Sequence, residues 1–181
     1  MPIDLRELGF RSCIGIDPFI PQAVHDRHGT RVRKQKLSEV RETFDAILFR
    51  HSLEHMPLNS LALAAPLLRN GGVCVVCIPV IGWAWRHYRT NWVQLDAPRH
   101  LWLHTLTSFG MLAEKSGFKV RDVVYDSSEF QFWASEAYSR DIALRDAKPP
   151  TGMELYRLKR RAAQLNAQSL GDSAQFYLSR I

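Results

Sequence analysis

The chain lacks the features that mark a secreted or membrane protein. It contains three cysteines in 181 residues, an odd and sparse set that is typical of a reducing compartment. It has no run of about 18 apolar residues, so we expect no transmembrane helix. Its first residues contain no apolar segment followed by a cleavage pattern, so no signal peptide is expected. These absences predict a cytoplasmic protein without a membrane partner.

A glycine-rich phosphate or cofactor loop is also missing near the start of the sequence. A short strand ends at Gly15-Ile16-Asp17, and no G-x-G motif precedes it. In nucleotide-type α/β folds, such a loop stands about 20 residues before an acidic residue of this kind. Counting back from Asp17 passes Met1, so we expect either a fragment of a longer protein or the product of a truncated gene.

The net charge of +6 is concentrated in one part of the chain. Residues 148–181 contain six Lys or Arg and two Asp or Glu, so the remainder is nearly balanced. Apolar residues at helical spacing between 155 and 165 predict a C-terminal helix in this segment. We therefore divide the chain into a domain over residues 1–147 and a basic helical tail over residues 148–181. The basic face of such a helix is usually solvated, which disfavours a nucleic-acid partner.

Apolar runs and turn signals alternate along residues 1–147 as in a βαβ series. Phe44–Phe49 is the strongest buried strand, Val73–Ile78 is a continuous apolar run, and Phe118–Tyr125 alternates. Residues 129–134 are expected to pair with that last strand as an antiparallel hairpin. The prediction is an α/β fold with a doubly wound, mostly parallel sheet, an antiparallel edge hairpin and a C-terminal helix.

The strand Phe44–Phe49 leads into a cluster of polar, titratable residues. These residues are His51, Ser52, Glu54 and His55. In an open α/β sheet the ligand lies beyond the carboxyl ends of the strands. The cluster is therefore the first candidate for a functional site.

Two patterns resemble metal sites, and we expect neither to bind a metal. The H-x-x-E-H spelling of residues 51–55 matches a zinc-protease pattern, with Glu129 or Glu136 as a conceivable third ligand. That pattern needs a helix, whereas this one follows a strand, and Pro57 just after it disfavours a helix there. The sulfurs of Cys74 and Cys77 would point to opposite faces of a strand, so these residues are interpreted as small apolar core residues.

Aromatic and basic residues crowd together between residues 83 and 104. The aromatic members are Trp83, Trp85, Tyr88, Trp92 and Trp102, and the interleaved residues are Arg86, His87, Arg89, Arg99, His100 and His104. Base stacking beside arginines is typical of single-stranded nucleic-acid binding. We favour an aromatic cap over a substrate cleft, which would exclude water from an apolar or sugar-like acceptor. Asp96 and Arg99 have an alternative role as a structural ion pair.

Together these motifs resemble a class I S-adenosylmethionine-dependent methyltransferase of the type 11/23 kind. The matching pieces, in family order over residues 5–135, are Gly15–Pro18, Phe44–Ile47, His51–His55, Leu67–Gly72, Ile78–Pro79, Asp96–His100 and Ser116–Phe118. The resemblance implies an incomplete Rossmann-like fold without its first strand and glycine loop. It also implies S-adenosyl-L-methionine as cofactor, methyl transfer to a small-molecule acceptor, and a homo-oligomer as one way of covering exposed sheet edges.

The resemblance assigns roles to individual residues. The cofactor-binding candidates are Asp17, His51 and Ser52, with the Asp17 carboxylate accepting hydrogen bonds from the ribose hydroxyls. The candidates for a general base are His51, His55 and His100. The acceptor-binding candidates are Trp85, Tyr88, Trp92, Asp96 and Arg99. The structural alternatives are that Asp17 caps a turn and that the histidines satisfy loop carbonyls. For the chain as a whole, the alternatives are a non-catalytic remnant of a methyltransferase and a nucleic-acid-binding module.

Overall fold

A computed structural model describes Leu5 and residues 9–10, 12–25 and 31–181, and the chain divides into two compact units, residues 1–42 and 43–181. The first unit contains three short strands, β1 (Ile14–Ile16), β2 (Val24–His25) and β3 (Arg31–Arg33). They form a sheet in the order β1-β3-β2, in which β1 is parallel and β2 antiparallel to β3. Asp17 directly follows β1.

The second unit contains a four-stranded sheet and five α-helices. The strands are β4 (Phe44–Arg50), β5 (Leu68–Pro79), β6 (Phe118–Tyr125) and β7 (Ser173–Arg180). The helices are α1 (Ser60–Ala64), α2 (Trp83–Tyr88), α3 (Leu106–Lys115), α4 (Phe130–Tyr138) and α5 (Gly152–Ala167). The strand order is β4-β5-β7-β6, with β4 parallel to β5 and β7 antiparallel to both of its neighbours. In the described part of the chain, no helix has the length and apolar character needed to cross a membrane.

The α/β class predicted from the sequence is confirmed, and the apolar runs form strands where they were expected. The continuous run Val73–Ile78 lies within β5, which pairs on both sides with β4 and β7. Phe109 of α3 is fully buried and packs against Phe176 of β7, with ring centroids 4.0 Å apart. Burying a side chain of this size contributes about 1.5–3 kcal/mol of stability. The sheet is thus anchored by helices that connect its strands.

The predicted edge hairpin is wrong, because residues 129–134 do not pair with β6. Most of this segment belongs to helix α4. Its buried residues, Gln131, Phe132, Ala134, Ser135 and Ala137, follow helical rather than alternate spacing. The antiparallel partner of β6 is instead β7, a strand far away in the sequence. The larger sheet is consequently mixed, with one parallel and two antiparallel pairs.

The segment 148–181 also differs from a simple helical tail. Its predicted helix is present as α5, and Ala162 and Leu165 pack with Phe132 of α4. Beyond the helix, Ala174, Phe176 and Leu178 alternate with less buried residues and point into the core. These residues place β7 between β5 and β6, so the segment is an integral part of the larger unit.

Candidate functional site

The carboxyl end of β4 carries a histidine in an uncommon backbone conformation. His51 has φ of +47°, in the left-handed region that few non-glycine residues adopt. Its N–H donates a hydrogen bond to the carbonyl of Cys77 at 2.9 Å, which ties this turn to β5. The side chain remains 46% exposed. The strand end therefore presents the imidazole ring at the edge of the sheet, and local backbone strain of this kind is common at functional sites.

A cavity of about 200 Å³ opens at this edge of the sheet. Its lining residues are Arg50, His51, Gln94, Asp126, Ser127, Ser128, Phe130, Gln131, Asp172 and Ser173. The topology explains why they meet: β4 and β6 both end at this edge, and the antiparallel β7 begins there. Ligands of open α/β sheets bind at the same edge. We call this group of lining residues the polar edge.

A buried hydrogen-bond network forms one wall of the polar edge. Asp172 is 1% exposed, and its Oδ2 accepts a hydrogen bond from Nε1 of Trp92 at 2.8 Å. The Ser127 Oγ accepts the N–H groups of Asp172 at 2.6 Å and Ser173 at 2.9 Å. Burial raises the pKa of Asp172, although hydrogen bonds with Trp92 and Ser127 oppose that change. This network fixes the start of β7 against the segment that precedes α4.

Glu54 lies behind His51 in the turn Leu53–His55 that follows β4. Its side chain is 2% exposed, and Oε1 lies 3.7 Å from Nδ1 of His51. This polar contact with Glu54 raises the pKa of His51, whereas partial burial of the ring acts in the opposite direction. Within the described residues, neither carboxylate oxygen of Glu54 has a hydrogen-bond partner. A buried carboxylate in that condition is costly unless something else compensates for it.

The other two histidines predicted as general bases are brought together beside Glu54. The ring centroids of His55 and His100 are 4.7 Å apart. Nδ1 of His55 lies 2.9 Å from the carbonyl of Arg99, and Nδ1 of His100 lies 2.7 Å from the carbonyl of Gln94. Both rings therefore satisfy loop carbonyls, as the structural alternative expected. His100 is nearly enclosed, with 5% of its side chain exposed.

The prediction of an exposed aromatic cap is wrong for Trp92 and Tyr88. Trp92 is 0% exposed and Tyr88 is 8% exposed, and both belong to a core cluster with Ala84. Trp85 is partly buried and packs against the same cluster. These rings stabilise the fold by apolar burial, so Trp92 and Tyr88 do not offer the stacking surface that single-stranded nucleic-acid binding requires.

Asp96 and Arg99 form the structural pair that the sequence allowed as an alternative. Nη2 of Arg99 lies 2.6 Å from Oδ2 of Asp96, and its Nε donates to Oδ1 at 3.0 Å. Asp96 has φ of +39°, and its carbonyl accepts the N–H of His100 at 3.2 Å. The ion pair thus stabilises the turn that presents His100 to Glu54.

Asp17 also makes the local contacts expected of a turn residue. Its Oδ1 accepts the N–H of Phe19 at 2.8 Å, and its own N–H donates to the carbonyl of Arg33 at 3.0 Å. An ionised carboxylate has about four acceptor positions, so one hydrogen bond of this kind leaves capacity for ligand hydroxyls. The geometry is therefore compatible with both interpretations of Asp17.

Cys74 and Cys77 are buried, as the core interpretation requires. Burial raises the pKa of Cys74 to about 12 and that of Cys77 to about 11. Both therefore remain thiols near neutral pH, and they pack as small apolar residues.

Sequence reasoning missed the acidic and hydroxyl residues of the polar edge. Asp126 and Ser127 follow the predicted strand Phe118–Tyr125, so the rule that placed a site after β4 could also have found them. Asp172 could not be found in that way, because β7 was not predicted. The sequence feature that could have predicted β7 is the alternation of the apolar residues Ala174, Phe176 and Leu178 just after Asp172.

Comparisons with known proteins agree with the resemblance seen in the sequence. No curated protein is similar enough to this chain to match. Among solved structures, a SAM-dependent methyltransferase from Thermotoga maritima is 18% identical and has a TM-score of 0.57, with 96% of this chain and 75% of that one covered. LepI in complex with SAM is 13% identical with a TM-score of 0.57, and the match covers 99% of this chain and 40% of LepI.

The mitomycin 7-O-methyltransferase MmcR is 14% identical with a TM-score of 0.50, and 84% of this chain matches 34% of MmcR. The chain thus spans well under half of MmcR and LepI. At these identities, the structural matches support the Rossmann-like fold. A family model described as a methyltransferase domain matches residues 1–123, which is more than half of the chain. The chain therefore belongs to this methyltransferase-domain family.

Proposed function

We propose that this chain is part of an enzyme that transfers a methyl group from S-adenosyl-L-methionine to a small-molecule acceptor. The observation that carries the proposal is the polar edge, an open cavity at the carboxyl end of β4 within a chain of the methyltransferase-domain family. Ligand sites of open α/β sheets lie at that edge. LepI is a structural neighbour whose complex contains SAM, which supports the choice of cofactor.

The side chains proposed to hold the cofactor are Asp17, His51 and Ser52. A ribose offers two neighbouring hydroxyl donors, and the carboxylate of Asp17 retains acceptor positions beside its hydrogen bond to Phe19. S-adenosyl-L-methionine, when bound, supplies an electrophilic methyl group on a positively charged sulfur. The chain's own contribution is to orient the reactants and to accept a proton, because displacement at a methyl carbon depends chiefly on alignment.

His51 is the favoured general base among the three histidines proposed. Its half-exposed ring borders the cavity, whereas His100 is enclosed and both His55 and His100 engage carbonyls through Nδ1. The interaction with Glu54 raises the pKa of His51, so the neutral, proton-accepting ring becomes abundant only as the pH rises above that raised value. Activity that depends on His51 should therefore increase with pH through this range.

The acceptor is proposed to bind in the cavity of the polar edge. Trp92 and Tyr88 are buried, so they do not contact the acceptor. They support the cavity wall instead, since Nε1 of Trp92 donates a hydrogen bond to Asp172. Phe130 and Gln131 then offer one apolar and one amide contact to the acceptor. The cavity volume of about 200 Å³ is below the usual range for drug-sized ligands, so it limits the acceptor to a small molecule. A cytoplasmic location and a homo-oligomer remain predictions of the sequence.

Calorimetric titration with S-adenosyl-L-methionine and its demethylated product tests the cofactor assignment. We expect saturable binding to the full chain, weakened at least about tenfold in Asp17→Asn, because loss of one charge-assisted hydrogen bond costs about 1.5–3 kcal/mol. Asp45→Asn is the control, since Asp45 is an exposed carboxylate paired with Arg69 at the opposite end of β4. This variant should bind as the wild type does.

Two results would contradict the proposal in different ways. Absence of binding at millimolar cofactor would leave a non-catalytic remnant as the better description of the chain. Equal binding by wild type and Asp17→Asn would keep the cofactor but restrict Asp17 to its role in the turn. A circular-dichroism spectrum of each variant excludes unfolding as the cause of lost binding.

A further inference from the structure

We propose that Glu54, His55 and His100 form a binding site for a divalent transition-metal ion, of which Zn²⁺ is the best match. Each of the three residues offers one ligand atom, and these atoms lie within 4.8 Å of one another. Glu54 and His55 belong to the turn after β4, whereas His100 comes from the segment that precedes α3. The site differs from the H-x-x-E-H spelling of residues 51–55, because His100 takes the place of His51.

Hydrogen bonding prepares both histidines to bind a metal. A backbone carbonyl can only accept, so Nδ1 of His55 donates to Arg99 and Nδ1 of His100 donates to Gln94. In the neutral ring, this arrangement leaves the lone pair on Nε2. Metal-ligating histidines almost always donate their other ring N–H to a carbonyl or carboxylate, which fixes the tautomer and the ring orientation. Both rings have that arrangement here.

Glu54 provides a second, independent observation. Its side chain is 2% exposed, yet within the described residues neither carboxylate oxygen has a hydrogen-bond partner. A buried polar atom without a partner costs about 1–3 kcal/mol, and more for a charged group. A metal ion bound at Glu54 and the two imidazoles would compensate for this cost.

The chemistry of the ligand set selects the class of ion. Two imidazole nitrogens and one carboxylate oxygen suit zinc and related transition metals, whereas Mg²⁺ prefers oxygen ligands alone. A second carboxylate is close by, since Oδ2 of Asp96 lies 3.7 Å from Nε2 of His100. His55 is exposed, which gives an ion a route into the site.

Metal binding would join two segments that already contact each other. The N–H of Leu101 donates to the carbonyl of Glu54 at 2.8 Å, so the turn after β4 and the segment around His100 are already connected. A shared ion adds a second link between them. The inference is independent of methyl transfer, because the proposed displacement requires no metal.

The test is a titration of the chelator-treated full chain with Zn²⁺, and separately with Mg²⁺, followed by calorimetry and thermal unfolding. We expect one Zn²⁺ per chain, a rise in Tm on binding, and no comparable response to Mg²⁺. His55→Ala and Glu54→Gln should each weaken Zn²⁺ binding at least about tenfold, since losing even an outer-shell partner has an effect of that size. His55 is exposed, so its variant is expected to fold even if a variant of His100, whose side chain is nearly enclosed, does not.

Two control variants distinguish this site from adventitious binding. His25→Ala removes an exposed histidine of the other unit, and Cys13→Ser removes the one free thiol outside the core among the described residues. Both variants should retain the affinity of the wild type. The proposal is overturned if no stoichiometric Zn²⁺ binding occurs, if His55→Ala and Glu54→Gln bind as tightly as the wild type, or if a control variant loses binding.

Discussion

The aromatic segment of residues 83–104 and the turn that follows β4 both stood out in the sequence, yet Trp92 in the segment and His51 in the turn have opposite environments. Trp92, at the middle of the segment, is fully buried, whereas His51 at the end of β4 remains nearly half exposed. The segment has its basic residues beside its rings, but Tyr88 of helix α2 and Trp92 beyond the helix pack into a core cluster. Aromatic rings with basic neighbours in the sequence therefore do not by themselves predict an exposed binding surface.

Side chains from other helices cover part of the aromatic segment. The guanidinium group of Arg161 in α5 lies 4.5 Å from the ring centroid of Trp83 and 4.8 Å from that of Phe132. Such cation–π contacts contribute about 0.5–1 kcal/mol at exposed positions. The ring that looked available for a ligand is thus covered by a charged side chain of the same chain.

Among the variants that compare the two regions, Trp92→Ala should cause the largest loss of stability. It removes a fully buried ring and leaves Asp172 without the Nε1–H donor, so we expect a loss of about 3–5 kcal/mol in the free energy of unfolding. Urea unfolding followed by circular dichroism measures this loss. Trp102→Ala is the control, because Trp102 is 39% exposed and should lose much less. Equal losses in the two variants would show that the difference in burial between Trp92 and Trp102 does not determine their contributions to stability.

Asp172→Ala should cause the next largest loss in the free energy of unfolding, since it leaves the buried Nε1–H of Trp92 without an acceptor. We expect a loss of about 1–3 kcal/mol, and a smaller loss for Asp172→Asn, whose amide oxygen can still accept. Burial raises the pKa of Asp172, so the folded state favours the neutral carboxyl group. Wild-type stability should therefore fall relative to Asp172→Asn as the pH rises through the Asp172 pKa. A pH-independent difference between the two would contradict this account.

His104→Gln tests the partly buried C-terminal end of the aromatic segment through the pH dependence of stability. Burial lowers the pKa of His104, so the unfolded chain takes up a proton near pH 6.5 before the folded chain does. That difference makes the wild type lose stability as the pH falls from 7 to 5. His51 has a raised pKa and contributes in the opposite direction. The variant should show a shallower decline in urea midpoint on acidification, and an unchanged decline would rule out His104 as its source.

His51→Asn should have the smallest effect on stability and a clear effect on binding. Asparagine tolerates positive φ, and the ring is half exposed, so the free energy of unfolding should change by no more than about 0.5 kcal/mol. Cofactor affinity or methyl transfer should fall if His51 belongs to the site. A stability loss as large as that of Asp172→Ala would place His51 among the structural residues instead.

The sequence predicted the parts of the fold that depend on local patterns. Strand β5 was found because its apolar run is continuous, and His51, Glu54 and His55 were found because they follow β4 directly. The helix at residues 130–138 was missed, since Phe130, Phe132 and Ala134 also alternate as in a strand and only packing against α5 decides between the two periods. The grouping of His100 with Glu54 depends on a backbone hydrogen bond across 47 positions, from Leu101 to Glu54, which no local pattern reveals.

The place of β7 between β5 and β6 has a consequence for the order in which the larger unit folds. Val76 and Phe176 are direct partners across that pair of strands, although they stand one hundred positions apart. Within the described sheet, β6 is joined to the other strands only through β7. Closing so long a loop carries a large entropic cost and slows folding. We therefore expect the parallel pair β4–β5 to form early in folding. Strand β6 can join the sheet only after residues 173–180 have paired with β5.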